Sequence, residues 1–253
     1  MIPLRGSLRG RISPVVTSLL VVANVLVFLH EWTLTPSGFE AFLRTWGLIP
    51  VREVASGSVV SSLSFALSSM FVHAGWAHLL WNVLYLWIFG SGLESRIGHT
   101  RFGALYLAAG VIASQAQVWF SPLSRVPIVG ASGAIAGVLG AYFVVSPRAK
   151  IKVLLPIWII PLFFDVPAFV FLGLWFLNQA VSGTLLLAGG VSSELAWWAH
   201  VGGFLAGALF VKQLGVPPER LDARAYPEDW APAPAPDDPL GRRTRAQTRY
   251  REI

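Results

Sequence analysis

Six apolar runs dominate this chain, at about residues 14–33, 74–93, 101–121, 130–147, 166–184 and 191–213. A helix needs roughly 20 apolar residues to cross the hydrocarbon core of a bilayer. The runs therefore predict an all-α fold, a polytopic membrane protein built as a bundle of six transmembrane helices. Composition agrees, because 55% of the residues are hydrophobic and only 13% are charged, against roughly a quarter charged in a soluble domain. Arg5, Arg9 and Arg11 precede the first run like the basic region of a signal peptide. The run is long, however, and no small-x-small cleavage site follows it, so it reads as an uncleaved span.

There is no cysteine, which excludes thiol catalysis and cysteine-held metals. The net charge is +6, but the basic residues flank the apolar runs or lie in the C-terminal stretch. They read as topology signals and not as a nucleic-acid surface. With the N-terminus inside, the inner side carries Arg5, Arg9, Arg11, Arg96, Arg101, Arg148, Lys150, Lys152 and Lys212. The outer loops carry Arg44, Arg52 and Arg125. That asymmetry predicts both termini inside. Residues 1–13 are then a basic cytoplasmic N-terminus and residues 14–214 the membrane domain. Residues 215–253, rich in Pro, Ala and charge, predict a disordered cytoplasmic tail. Residues 34–73 mix apolar and charged positions and predict an amphipathic segment in the outer interface. KIKVLLPIWIIPLFFD (150–165) is apolar, but its two prolines and basic flanks predict an interfacial connection on the inner side.

Ionisable and strongly polar groups at membrane depth are expensive, so each is a functional candidate. They are His73, His78, Asn82, Ser132, Asn178, Gln179 and His200. In the N-in topology, spans two, four and six all run from outside to inside. Counted back from the inner-end markers at about 1.5 Å per residue, His78 lies ~24 Å, Ser132 ~22 Å and His200 ~18 Å above them. In a core about 30 Å thick, all three fall in its outer part. Gly133, Gly137 and Gly140 make a small-residue stripe on span four, and Ala199, Gly203 and Gly207 make one on span six. Such stripes let helices approach closely. Packing along them would bring Ser132 within hydrogen-bond reach of His200. His78 and Asn82, at i and i+4, share a helical face and read either as interhelical glue or as site groups. His73 reads as structural. Asn178 and Gln179 read as hydrogen-bonding neighbouring helices or loop backbone.

Other hydrolytic chemistries lack their residues. A zinc protease wants HExxH, and His30-Glu31 has no second histidine four residues on. An aspartyl protease needs two intramembrane aspartates, and Asp165 is the only one before the tail. No phosphate-cradling glycine loop ending in Lys-Ser or Lys-Thr is present. No metal and no cofactor are expected.

Five ordered motifs carry a resemblance: FVHAGWAHLLWN (71–82), GSGLESRIG (90–98), GASGAIAG (130–137), LWFLNQ (174–179) and AHVGGFLAG (199–207). The glycine-serine-glycine motif alone is weak. With H-xxx-N two spans earlier and AHxxG two spans later, the set is highly specific. Over about residues 14–214 the chain resembles the rhomboid intramembrane serine proteases in their compact six-helix bacterial form. The resemblance implies that Ser132 is the nucleophile and His200 the general base. It implies that His78 and Asn82 help bind the oxyanion, that Gly130 and Gly133 flank the serine loop, and that Gly203 closes the AHxxG motif. Glu94 and Arg96 match a structural pair near the inner end of span two. It also implies a bacterial plasma-membrane location and transmembrane protein substrates that enter from the bilayer beside span five, near Trp175 and Phe176. Nothing in the sequence sets an oligomeric state. One departure stands out. Some relatives place a tyrosine four residues after the serine, stacked on the catalytic histidine, where this chain has Ala136. Another side chain must then hold the His200 ring.

The residues predict a dyad and not a triad. No carboxylate lies near His200 in sequence, and Glu194 would stand roughly 120° away round the helix. Ser132 opens a helix, where unpaired backbone N–H groups point outward. With Asn82 and His78 these could stabilise an oxyanion. A site below the outer surface suits peptide bonds in or near another protein's transmembrane segment, locally unwound so that its carbonyls are accessible.

Overall fold

The computed structural model describes residues 1–8, 12–157, 160–189 and 195–216. Glu194 and almost all of the expected tail lie outside them. The first apolar run forms α1 (Val15–Trp32). Three short helices follow in place of one amphipathic segment: α2 (Pro36–Trp46), α3 (Pro50–Ser56) and α4 (Val59–Ser69). Their starts are written locally. Proline at the first turn opens α2 and α3, where its missing N–H loses nothing. Thr35 and Ser58 cap α2 and α4 by accepting from the amides of Gly38 and Ser61. Arg52 ties this segment together: its guanidinium donates to the carbonyls of Arg44 and Gly47, both at 2.8 Å, and lies 3.9 Å from the centre of the Phe65 ring.

The second run is one helical path in three parts: α5 (Trp76–Tyr85), a π-helical turn (Leu86–Gly90) and α6 (Ser91–Ile97). Gly98, at φ +87°, takes a conformation that favours glycine and turns the chain into α7 (His99–Phe120). The remaining runs form α8 (Ser132–Val145), α9 (Ala168–Ala188) and α10 (Trp197–Gln213). Glu94 anchors α1. Its buried carboxylate accepts from the amides of Val16 and Thr17 at 2.8 Å, from the Thr17 hydroxyl at 2.6 Å, and pairs with His99. Glu94, expected as a structural residue together with Arg96, is thus the cap of another helix's first turn.

The all-α expectation is corrected in one region. β1 (Ile2–Gly6), β2 (Lys150–Ile157) and β3 (Ile160–Pro167) form an antiparallel sheet in the order β1-β2-β3. β2 and β3 thus pair antiparallel, and Ile2–Gly6 of the basic N-terminus adds a third strand, with Ile2 opposite Leu154. The physical reason is a period of two: Ile151 and Val153 are buried while Lys150 and Lys152 alternate with them.

Among the described residues, α1 and α9 are long and apolar enough on their own to cross a membrane. α8 has 14 residues, a length of about 21 Å. It is the centre of the bundle, with every residue from Gly133 to Tyr142 buried. α7 and α10 lie against it. A Cβ built at Gly203 or Gly207 of α10 would overlap the carbonyl oxygen of Gly133 or Gly137 on α8. One at Gly140 would overlap the carbonyl oxygen of Phe204. Backbone therefore rests directly on backbone. The stripe reading needs one correction. Gly133 and Gly137 turn their open faces chiefly to α7, where their Cβ atoms would crowd Ala113 and Ala109. To α10 they offer carbonyls. α8 needs small residues on two sides because it is enclosed on two sides.

Candidate active site

Three connections fix the loop that leads into α8. Leu48 and Ile128 exchange backbone hydrogen bonds at 3.1 and 2.7 Å, and the Gly130 amide donates to the Ser69 carbonyl at 2.8 Å. Gly130 sits at φ +107°. A Cβ there would overlap the His78 ring and stand 3.6 Å from the Asn82 amide nitrogen. The glycine is thus required twice, by its backbone conformation and by the close approach. That approach puts His78 and Asn82 of α5 beside the serine loop. Asn82 also donates to the His78 carbonyl at 2.9 Å, which leaves its amide a second hydrogen.

Ser132 is the first residue of α8. The amides of the first turn have no acceptor within the helix and carry the positive end of its dipole. His200 lies in the first turn of α10. Gln117 of α7 caps that helix, its side-chain oxygen accepting from the amides of Trp198 and Ala199 at 3.0 and 3.2 Å. Trp198 also stacks on Phe120, with ring centres 3.8 Å apart.

The two residues meet. Ser132 Oγ and His200 Nε2 are 2.8 Å apart, from helices 68 residues apart in sequence. On the other side of the ring, Nδ1 lies 2.8 Å from the side-chain oxygen of Gln179 on α9. The expectation that Gln179 bonds a neighbouring helix is met by His200 itself. Trp175, four residues earlier on the same face of α9, places its ring centre 5.8 Å from that of the imidazole at an angle of 41°. Trp175 is thus an aromatic neighbour of the His200 ring, where Ala136 supplies none. Trp175 and Phe176 both pack on Phe204 of α10, with centres at 6.3 and 4.7 Å.

His73 is structural in form. It is buried, its amide donates to the Glu31 carboxylate, and its ring stands edge-on to His78 at 5.2 Å. Among the described residues no cluster of His, Asp and Glu could hold a metal ion. Sequence reasoning missed the cap from Gln117 and the ring contact from Trp175. For Gln117 the available signal was a polar side chain inside an apolar run.

The Rhomboid domain family model matches residues 61–215. The chain is 31% identical over 176 residues to the mitochondrial rhomboid protein 1 of Saccharomyces cerevisiae, covering 66% of this chain and 46% of that one. It is 46% identical over 80 residues to the rhomboid protease GluP of Bacillus subtilis, covering 32% of this chain and 15% of that one. It is 31% identical over 153 residues to the mitochondrial RHOMBOID-like protein 6 of Arabidopsis thaliana, covering 49% of each. The chain thus spans less than half the length of these relatives.

Proposed function

This chain belongs to the rhomboid family of integral membrane proteins, and from that premise we propose that it is an intramembrane serine endopeptidase. Its substrates are transmembrane segments of other membrane proteins, cut near the outer side of the bilayer by a Ser132–His200 dyad. The observation that carries the reading is the 2.8 Å contact between Ser132 Oγ and His200 Nε2.

In this reading Ser132 gives its proton to His200 Nε2 as Oγ attacks the scissile carbonyl carbon. The carbonyl π electrons move onto oxygen. That oxyanion is received by first-turn amides of α8 together with His78 and Asn82. One such donor is typically worth about 3–4 kcal/mol. The imidazolium then protonates the leaving amine as the C–N bond breaks. Water then attacks the acyl carbon as His200 takes its proton; the C–Oγ bond breaks, His200 returns the proton to Ser132 Oγ, and the carboxylic acid product leaves. Gly130 and Gly133 shape the serine loop, and Gly203 sets the distance between the two helices.

The six spans are α1, the α5–α6 path, α7, α8, α9 and α10, with both termini inside. α8 is about 21 Å long in a core about 30 Å thick, so its first residue lies below the surface. Residues 1–13 and 215–253 flank the membrane domain on the inner side, in a bacterial plasma membrane. Neither metal nor cofactor takes part.

The test is cleavage of a single-span membrane protein by the detergent-purified full chain. Ser132→Ala and His200→Ala are expected to abolish it. Equal cleavage by the parent and Ser132→Ala would overturn the reading.

A further inference from the structure

Resting on that reading, we propose that Gln179 is the positioning residue of the site. Its side-chain carbonyl holds His200 in the tautomer with the proton on Nδ1, leaving Nε2 to accept from Ser132. A neutral imidazole has one donor and one acceptor nitrogen, and the bond made by one nitrogen sets the role of the other. At Nδ1 stands a carbonyl oxygen 2.8 Å away, which only accepts. At Nε2 stands a hydroxyl 2.8 Å away, which can donate. The two contacts are consistent with one tautomer only, the one a general base needs.

The placement favours this use of the amide. Gln179 is buried, with 6% of its surface exposed, so water does not compete for its oxygen. The amide supplies the acceptor without bringing a charge into an apolar helix. Trp175, one turn earlier on α9, lies against the same imidazole. The reacting pair thus belongs to α8 and α10, while its orientation is supplied from α9. Gln179 meets the Nδ1 side of the ring and Ser132 the Nε2 side, so the effect of Gln179 on the serine passes through His200.

Two measurements decide the matter. The first is the rate of Ser132 labelling by a fluorescent fluorophosphonate, on the full chain in detergent, as a function of probe concentration. Gln179→Leu and Gln179→Met remove the acceptor at similar volume. Each is expected to lower the maximal rate about tenfold to hundredfold, with half-saturation unchanged. Gln179→Glu keeps an acceptor oxygen and restores most of the rate. A folded Leu or Met variant labelling at the parental rate overturns the inference, as does an equal loss in the Glu variant or a change confined to half-saturation. The second needs no variant at position 179. In the parent, the 15N shifts of His200, identified by their loss in His200→Ala, should show a protonated Nδ1 and an unprotonated Nε2. The opposite pattern overturns the inference even if all variants misfold. A parent that is not labelled at Ser132 counts against the protease reading, whereas normal labelling that ignores Gln179 counts against this inference alone.

Discussion

Gly203→Ala adds one methyl group at a point of backbone contact between the two helices that carry the dyad. The new Cβ would overlap the Gly133 carbonyl oxygen, stand 3.1 Å from the Gly133 carbonyl carbon and 3.3 Å from Ala113 Cβ. Relaxed contacts between carbon atoms are about 3.5–4.0 Å. The obstructing atoms on α8 are backbone, so no rotamer change relieves them. α10 must retreat by about 1 Å at this level. His200 lies one turn away from Gly203, and Gly133 adjoins Ser132. The retreat therefore acts on the 2.8 Å contact itself and carries it past hydrogen-bond range. A misplacement of about 1 Å can lower a rate about 100-fold. The overpacking itself costs about 1–3 kcal/mol. The assay is kcat/KM for a transmembrane substrate in proteoliposomes, with thermal unfolding in parallel. Gly173→Ala on α9 is the control, because a Cβ there meets only Phe143, at 3.9 Å. The expected result is a loss near 100-fold in Gly203→Ala and near-parental activity in Gly173→Ala. Full activity in a Gly203→Ala protein with parental stability would refute the reasoning, as would equal losses in both.

Gly130→Ala combines a φ of +107° with a collision against His78; kcat should fall at least about tenfold, since one lost oxyanion donor is worth that or more, and steady-state kinetics check it. Gln117→Leu strips the cap from α10; a loss of about 1–2 kcal/mol in stability is expected, read by thermal melts, together with slower cleavage. Glu94→Leu leaves the first turn of α1 without its acceptors and should destabilise the protein by about 2–4 kcal/mol, measured by reversible unfolding in mixed detergent. Unchanged stability in Glu94→Leu would mean that α1 is held by packing alone.

The sequence by itself determined the apolar helical segments, their order and the residues proposed to carry the chemistry. Those properties are local: an apolar run of set length, a proline or serine at a helix start, a histidine where no histidine is needed for solubility. It also pointed to Ser132 and His200 together, because depth along a helix can be counted from a charged end. The pairing of β2 and β3 was present as Lys-Ile-Lys-Val alternation, yet the overall apolarity of 150–165 concealed it. Tertiary structure alone decided which atoms meet. Gln179 and His200 are separated by a segment that contains no fixed period linking them, so no count along the chain could pair an amide with Nδ1. The same holds for Gln117 with the start of α10 and for Glu94 with the start of α1. A helix end has orphan amides whatever its neighbours are, but which side chain reaches them depends on how helices cross. Even the glycines divide this way. Their spacing announced close packing, and only the assembled bundle showed that α8 is enclosed by α7 as well as α10.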